Sequence, residues 1–253
     1  MSLLTVDILH SQDFVLLVRA YNELMVPNFG GLKDELEPVD VWIDALTVRW
    51  PASPYVLHVI VVLVHEDEPA SKRDDEREIA GMVVCEYYPK SNCGLLTYIA
   101  VATSMQQKGL GRLLVDSVLR SLSADAKAKG HLACKAVFLE TNSDAVDASK
   151  DVMVPAERRK VLQRLGFRLL PFEYVQPALG PGLDKCRDLH LAVHTSFVRQ
   201  DGGVSSKDLL AFIGEFFEVL LGDPYKEDQD YLNMQGKLQE AECLNIIVPR
   251  KIK

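Results

Sequence analysis

The sequence predicts an α/β (α+β) fold in which a mixed, mainly antiparallel sheet is flanked by helices and followed by a C-terminal helical extension. Three apolar, β-branched segments at residues 55–65, 79–88 and 95–101 follow one another without a helix between them, as the strands of an antiparallel meander do. Amphipathic segments lie on both sides of this meander. A polar, glycine-containing link begins the extension, so we place the domains at residues 1–200 and 201–253.

Before the meander, the sequence predicts one strand and two helices. Residues 4–9 are a short strand segment, and Ser11 is a candidate N-cap for the first helix. Pro27 and the glycines after it are expected to end that helix, and Pro38 suits the first turn of the second.

The meander itself begins with the most strongly predicted strand. Residues 55–65 are apolar on both faces, which is typical of a strand inside a sheet. The charged run at residues 66–78 predicts a solvated loop that leads into the second strand.

Helices and strands then alternate. The pattern predicts a helix closed by Gly130, a short buried strand, a second helix and two final strands. These five elements span residues 109–130, 136–141, 155–165, 168–174 and 189–197.

The extension predicts two more helices. Ser205 is the expected N-cap of the first, and residues 228–242 form the second. The first helix carries an apolar cluster of Phe212, Phe216 and Phe217. Packing against the core, a homodimer contact and a lid over a binding cleft are three alternatives for this cluster.

Charge and cysteine content exclude several function classes. A net charge of -8 and a pI near 5.3 argue against general binding to nucleic acid or to an anionic membrane, and they suit a cationic partner. The five cysteines include no C-x-x-C pair, so we expect reduced thiols, no metal site and a cytoplasmic protein. The N-terminus lacks a basic signal-peptide region, and the longest apolar run is too short to span a membrane.

The residues after the third meander strand have the composition of a phosphate-binding turn. They read Gln106-Gln107-Lys108-Gly109-Leu110-Gly111-Arg112 and lead into the long amphipathic helix. The first N–H groups of a helix have no partner within it, and the helix dipole favours an anion there. Glycines let a ligand approach the backbone, although tight packing of strand against helix is an alternative reason for them. Neither a Walker loop nor a dinucleotide-binding G-x-G-x-x-G is present.

Gln106-x-x-Gly109-x-Gly111 resembles the acetyl-CoA signature Q/R-x-x-G-x-G/A of the GNAT acyltransferases. Leu165-Gly166-Phe167 resembles the end of the last core helix in that family, and the predicted element order over residues 1–200 is the family's order. The resemblance implies a GNAT-type fold. It also implies an acetyl-CoA-dependent N-acetyltransferase, in which a primary amine attacks the acetyl group directly in a ternary complex.

The resemblance further implies a donor site. Backbone groups of the strand before the signature would bind the pantetheine arm, and N–H groups of the turn would bind the pyrophosphate. Asn142 is placed to reach the pantetheine or the acceptor, or alternatively to form a turn. The implied acetyl-CoA-binding residues are Ile99, Ala100, Val101, Gln106, Gln107, Lys108, Gly109, Leu110, Gly111, Arg112 and Asn142.

A general base must take a proton from the acceptor ammonium. Some GNAT members carry a glutamate for this purpose where this chain has Leu95. Others carry it in the strand after the signature helix, and Glu140 stands at that position. Glu86 in the preceding strand is the second candidate. A structural hydrogen-bonding role is the alternative for both.

The usual leaving-group acid of the family is absent, because Leu162 stands where a tyrosine is expected. Tyr98 or Tyr174 would then supply the proton, although core packing is the alternative role for each. The thiolate could also leave without a protein acid, since a thiol pKa of about 8.5 makes it a tolerable leaving group.

The missing tyrosine keeps a rival hypothesis open, a non-catalytic acyl-CoA-binding GNAT-like sensor or interaction domain. A nucleotide-phosphate-binding protein is a third reading. No cysteine or serine stands in a nucleophile motif, which disfavours a covalent acetyl-enzyme. The expected partner is a small-molecule or peptide amine, and no motif specifies which.

Overall fold

The computed structural model describes residues 2–9, 11–31, 36–48, 53–65, 73–146, 151–180 and 182–247. The strands within these residues are β1 (Ser2–Asp7), β2 (Val56–His65), β3 (Ile79–Tyr88), β4 (Cys93–Val101), β5 (Ala136–Asn142), β6 (Phe167–Leu169), β7 (Leu189–His194), β8 (Gly203–Ser205) and β9 (Cys243–Asn245). The α-helices are α1 (Phe14–Ala20), α2 (Val26–Phe29), α3 (Val39–Val48), α4 (Leu110–Ala128), α5 (Pro155–Arg164), α6 (Ser206–Leu221) and α7 (Gln229–Gln239).

Seven strands form one sheet in the order β1-β2-β3-β4-β5-β7-β6. All neighbours are antiparallel except β4 and β5, which run parallel because α4 connects them as a crossover. The predicted mixed, mainly antiparallel sheet flanked by helices is therefore confirmed. So is the predicted order of elements over the first 200 residues.

Helices cover both faces of this sheet. On one face, α4 and α5 bury a core that includes Leu114, Val118 and Leu122 of α4. On the other face, α1 to α3 cover the β1–β4 half, and α6 and α7 cover the half from β4 to β6. The second face therefore has a seam between two groups of helices.

One predicted boundary is partly right and a second is wrong. The first helix ends at the expected glycines, with Gly30 as its C-cap, but Pro27 does not stop it. It continues to Phe29, because a π-helical turn at Tyr21–Met25, closed by the Val26 N–H bonding to the Tyr21 carbonyl, widens the helix just before the proline. The strand predicted at residues 168–174 is only Phe167–Leu169, since Pro171 has no N–H to continue the ladder.

Some predictions fall partly outside the described residues. Residues 66–72 of the charged loop and the side chain of the candidate N-cap Ser11 are among them. Within the described part of the loop, Asp74–Glu76 form one 3₁₀ turn. Among the described helices, none is both long and apolar enough to cross a membrane.

The extension packs against its own sheet. Phe212, Phe216 and Phe217 are buried in the core that α6 forms with β3, β5 and β7. The buried Glu215 carboxylate accepts the N–H groups of Lys90 and Ser91, at 3.0 and 2.6 Å, and so fixes α6 to the turn between β3 and β4. Ser205 accepts the Asp208 N–H as the N-cap of α6, and the short β8–β9 pair joins the two ends of the extension.

Candidate functional site

An opening between β4 and β5 lies at the centre of the sheet. The register of β4 against β3 shifts between the Val84–Tyr98 and Cys85–Leu96 pairs, so Thr97 is a bulged residue without a partner. The parallel pairing of β4 with β5 ends at Leu96 and Leu139. Beyond these pairs the two strands separate, and the gap connects one face of the sheet with the other.

A cavity of about 850 Å³ occupies the gap on the α4 and α5 face, and we call it the donor cleft. One wall is the end of β4, with Ile99, Ala100 and Val101. The opposite wall is α5, including Val161, Leu162 and Leu165. The turn before α4 forms the floor, with Gln106, Gln107, Gly109, Leu110, Gly111 and Arg112.

The turn has the backbone shape of an anion-binding site. Gln107 and Gly109 take positive φ angles of +62° and +85°, while Gln106 is extended, so the chain winds tightly before α4 begins. Alternation of this kind turns successive N–H groups toward one side, where they form a concave anion site next to the helix N-terminus. A Cβ on Gly109 would meet no atom within 4 Å, which leaves open space above the turn.

At Gly111, helix packing also favours glycine, in addition to the close approach of a ligand to the backbone. A Cβ there would lie 3.3 Å from the Leu165 side chain of α5. Close packing of α4 against α5 therefore also requires a small residue. The binding role and the packing role both act at this position.

Two sequence-predicted donor residues lie elsewhere. The Lys108 side chain points to solvent, with its Nζ 3.6 Å from Met105 Sδ, and does not line the donor cleft. Asn142 lines the other side of the opening, where its amide nitrogen donates to Asp151 Oδ2 at 3.0 Å.

A smaller cavity of about 110 Å³ continues from the opening to the second face of the sheet, and we call it the acceptor chamber. It lies in the seam between α2 and α6. Asn28, Phe29, Thr97, Glu140, Thr141 and Arg158 line both cavities. The two cavities therefore meet at the gap between the strands.

Glu140 stands at this junction with its carboxylate held from behind. The Tyr174 hydroxyl donates to its Oε1, and the Gln176 amide donates to Oε2 at 2.7 Å. Tyr174 itself is buried and lines neither cavity. The structure thus gives Tyr174 a contact with the candidate base and no access to either cavity.

Glu86 lies deeper in the chamber, only 6% exposed. It accepts a hydrogen bond from Tyr88. Burial, together with the neighbouring Glu37 carboxylate, raises the pKa of Glu86 to about 8. The pKa of Glu37 is raised by burial too, although its carboxylate accepts a hydrogen bond from Trp42 Nε1 at 3.0 Å.

Tyr98 lines the same chamber and packs edge-on against Phe29. Its hydroxyl accepts the Glu37 N–H at 3.3 Å. Burial and the nearby Glu37 carboxylate raise the pKa of Tyr98 well above its usual range. Its phenol group is therefore held in the protonated form.

Asp151 and Arg158 form a nearly buried ion pair at the edge of the opening. The guanidinium donates to both carboxylate oxygens of Asp151, with Nη1 to Oδ2 at 2.8 Å. Burial alone would raise the pKa of Asp151, but the hydrogen bonds from Arg158 and Asn142 lower it. Both side chains line the chamber with their charges already paired.

Cys85 lies away from both cavities, whereas Leu162 lines one of them. Cys85 is fully buried in the core on the α4 face, and burial raises the pKa of its thiol well above the usual range. Leu162, which stands where the family usually has a tyrosine, lines the donor cleft with an apolar side chain. Within the described residues, no group of three or more His, Cys, Asp or Glu side chains is arranged to hold a metal ion.

Sequence reasoning missed several residues of the chamber. Glu37 is one of them, and no local pattern connects it with Glu86 or Glu140, which line the same cavity. Tyr88 could have been predicted from the sequence. Side chains alternate between the two faces of a strand, so Tyr88 lies on the same face of β3 as Glu86. No such pattern marks Gln176, because it lies in irregular chain after β6.

Comparisons with known proteins agree with this geometry. The sequence profile of the acetyltransferase (GNAT) family matches residues 36–167, just over half of the chain. No curated protein matches the chain.

Several solved structures are similar. A Bacteroides thetaiotaomicron protein assigned to the GNAT family is 16% identical, with a TM-score of 0.51 over 88% of this chain and 99% of that one. A GNAT-family protein from Desulfovibrio desulfuricans is 19% identical, with a TM-score of 0.45 over 76% and 98% of the two chains. A Bacillus subtilis acetyltransferase solved in complex with CoA is 16% identical, with a TM-score of 0.42 over 76% and 98%. At such low identities, the first of these similarities shows a shared fold, and the profile match shows the family. The chain belongs to the GNAT acetyltransferase family.

Proposed function

We propose that this protein is an N-acetyltransferase that moves an acetyl group from acetyl-CoA to a primary amine, with both substrates bound together. The observation that carries the proposal is the position of Glu140. Its carboxylate lies at the junction of a large cleft and a small chamber, in the gap between β4 and β5.

The donor cleft has the groups that acetyl-CoA needs. The backbone of β4 beyond Thr97 is released from pairing with β5, so its polar groups can bind an extended pantetheine arm as an added strand. The turn before α4 presents N–H groups to the pyrophosphate, and Arg112 adds positive charge beside it. On this proposal the thioester lies at the gap and faces the chamber.

The acceptor enters from the chamber and meets the thioester at the gap. Glu140 takes a proton from the ammonium, and the freed amine nitrogen attacks the acetyl carbonyl carbon. A C–N bond forms and the C–S bond breaks, so the electron pair leaves with the CoA sulfur. Tyr174 and Gln176 hold the Glu140 carboxylate in place through this step.

The thiolate has no dedicated acid on α5, since Leu162 is apolar. Its ordinary pKa of about 8.5 lets it leave as the anion and take its proton from water. Tyr98 is the alternative proton donor, because of the two candidate tyrosines it is the one that lines a cavity. Cys85 is fully buried and lines neither cavity, so we expect no acetyl-enzyme, and Cys85→Ala should retain most activity.

The test is release of free CoA from acetyl-CoA across a panel of primary amines. Glu140→Gln keeps the shape of the side chain but removes the base, together with one of the two oxygens that accept from Tyr174 and Gln176. General-base catalysis contributes roughly 10²–10⁴-fold, so we expect kcat to fall by about that factor while the affinity for acetyl-CoA is unchanged. Glu157→Gln, at an exposed position on α5, is the matched control.

Two outcomes would contradict the proposal. Tight CoA binding by the wild-type protein with no turnover on any amine would support a non-catalytic sensor. Full activity of Glu140→Gln would remove Glu140 as the base.

A further inference from the structure

The acceptor chamber contains more carboxyl groups than one reacting amine needs. Glu37, Glu86 and Glu140 all line it, and the Asp151 carboxylate beside them is already paired with Arg158. Among the described lining residues, Arg158 is the single cation, and Asp151 uses it. Glu37 and Glu86 therefore face a small space in which the one described cation is already paired with Asp151.

The three carboxylates interact with one another. Glu86 lies within electrostatic range of both Glu37 and Glu140, and both neighbours disfavour its ionised form. Such a cluster is costly to bury unless a cation joins it. The Glu86 and Glu37 pair is the part of the cluster that base catalysis by Glu140 does not use.

The walls around the carboxylates are aromatic and apolar. Phe29, Tyr55, Tyr88, Tyr98 and Phe216 supply the rings. Tyr55 stacks on Tyr88 with centroids 5.9 Å apart, and Phe216 lies edge-on to Tyr88 at 5.9 Å. Aromatic faces attract ammonium groups and exclude anions, and they also pack against methylene chains.

The chamber is also small. Its volume is about 110 Å³, against about 850 Å³ for the donor cleft. A slender acceptor group fits such a space better than a bulky one. The fit is to a short alkyl chain with charge at both ends.

We propose that the acceptor is an unbranched aliphatic diamine, whose reacting amine meets Glu140 while its second ammonium binds between Glu86 and Glu37. This inference rests on the proposed acetyl transfer and specifies its substrate class. The ring walls enclose the methylene chain between the two nitrogens.

The protonation of Glu86 supports this arrangement. With a pKa of about 8, the empty chamber holds Glu86 largely protonated at neutral pH. An arriving ammonium favours the carboxylate, so Glu86 releases its proton as the diamine binds. The other titratable groups that face Glu86 are Glu37, Glu140, Tyr55, Tyr88 and Tyr98, and burial raises the pKa of all three tyrosines.

The experiment compares diamines with monoamines of equal length. The full chain is assayed with acetyl-CoA and 1,4-diaminobutane, 1-aminobutane, 1,5-diaminopentane or 1-aminopentane, and kcat/KM is measured for each. We expect each diamine to exceed its monoamine by about tenfold to hundredfold, the range for a hydrogen bond to a charged group. In Glu86→Gln this ratio should fall toward one, while the exposed control Glu157→Gln should keep it.

A second variant covers the case in which Glu86→Gln does not fold. Glu37→Gln removes the other carboxylate of the pair and should lower the same ratio. Thermal unfolding and CoA binding report whether either variant is folded.

Equal kcat/KM values for diamine and monoamine in the wild-type protein would overturn the inference while leaving acetyl transfer intact. Faster acetylation of phenethylamine or of a lysine-containing peptide than of either diamine would also overturn it. An absence of CoA release with every amine would instead reject the proposed function itself.

Discussion

The donor cleft and the acceptor chamber meet at one gap but are built in different ways. Two short stretches of chain, residues 96–112 and 161–165, supply most of the donor cleft, and its key groups are backbone amides and glycines. The chamber takes its lining from Asn28 at one extreme of the sequence and Leu220 at the other. Its key groups are carboxylates and aromatic rings.

This difference in construction matches the two kinds of substrate that we propose for the two cavities. A constant donor can be recognised by backbone shape, because strand ends and helix N-termini present N–H groups whatever the neighbouring side chains are. An acceptor is recognised by its charge and outline, which require particular side chains from several elements. We therefore expect changes in the two regions to act on different kinetic constants.

The largest effect on the donor side is expected from Gly109→Val. The residue has a φ of +85°, which a β-branched side chain adopts only with strain, and open space surrounds it. A strained position costs about 1–3 kcal/mol, or roughly tenfold to hundredfold in affinity if the turn reshapes. The Kd for acetyl-CoA should rise by that factor while the KM for the amine is unchanged.

Gly130→Val is the matched control. Gly130 has a φ of +84° and equally open surroundings, but it lies just past the C-terminus of α4, at the other end of the helix from the donor cleft. The two variants should lose similar stability in thermal unfolding, yet only the first should lose acetyl-CoA affinity. Equal losses of affinity would show that the turn before α4 has no special role.

The same difference explains how much of the molecule was predictable. The sheet followed from the alternation of strand and helix patterns, because β2, β3 and α4 are long and strongly patterned. The proline in the first helix was a misleading stop signal. The π-helical turn before Pro27 lets the helix continue through the proline. The strand predicted after α5 is too long for the opposite reason. There Pro171 does end the strand, although the apolar pattern continues beyond it.

At the site, the shape of the turn before α4 was predictable because it depends on neighbouring residues. The family resemblance singled out Glu140 in β5, and its side chain lies where the two cavities meet. Its support by Tyr174 and Gln176 was not predictable, since those residues lie more than thirty positions away in irregular chain. The seam between α2 and α6 depends on how two helix groups meet, and no periodicity encodes that.

Tyr174→Phe should have the next largest effect, on the chemical step. The change removes a hydrogen bond to the Glu140 carboxylate without opening a cavity. A hydrogen bond to a charged group is worth about 1.5–3 kcal/mol, of which we expect part to appear as a roughly tenfold loss in kcat. The KM for acetyl-CoA should not change, and Tyr231→Phe, on α7 outside both cavities, should leave kcat unchanged.

A double variant separates a positioning role from a structural one. If Tyr174 acts through Glu140, adding Tyr174→Phe to Glu140→Gln should lower kcat little further. Independent, multiplicative losses would mean that Tyr174 supports activity by another route.

The smallest expected effect comes from Leu220→Ala, which tests whether α6 contributes to binding of the amine. Leu220 lines the chamber with its half-buried side chain, whereas its neighbour Leu221 lines neither cavity and packs on the α6 core. Leu220→Ala removes about 1 kcal/mol of apolar contact, which corresponds to a roughly twofold to fivefold rise in the KM for the amine. Leu221→Ala should destabilise the fold by a similar amount without changing that KM, and neither variant should change the Kd for acetyl-CoA. A rise in the amine KM for Leu220→Ala alone would show that the extension selects the acceptor, because the two substitutions differ only in which of them faces the chamber.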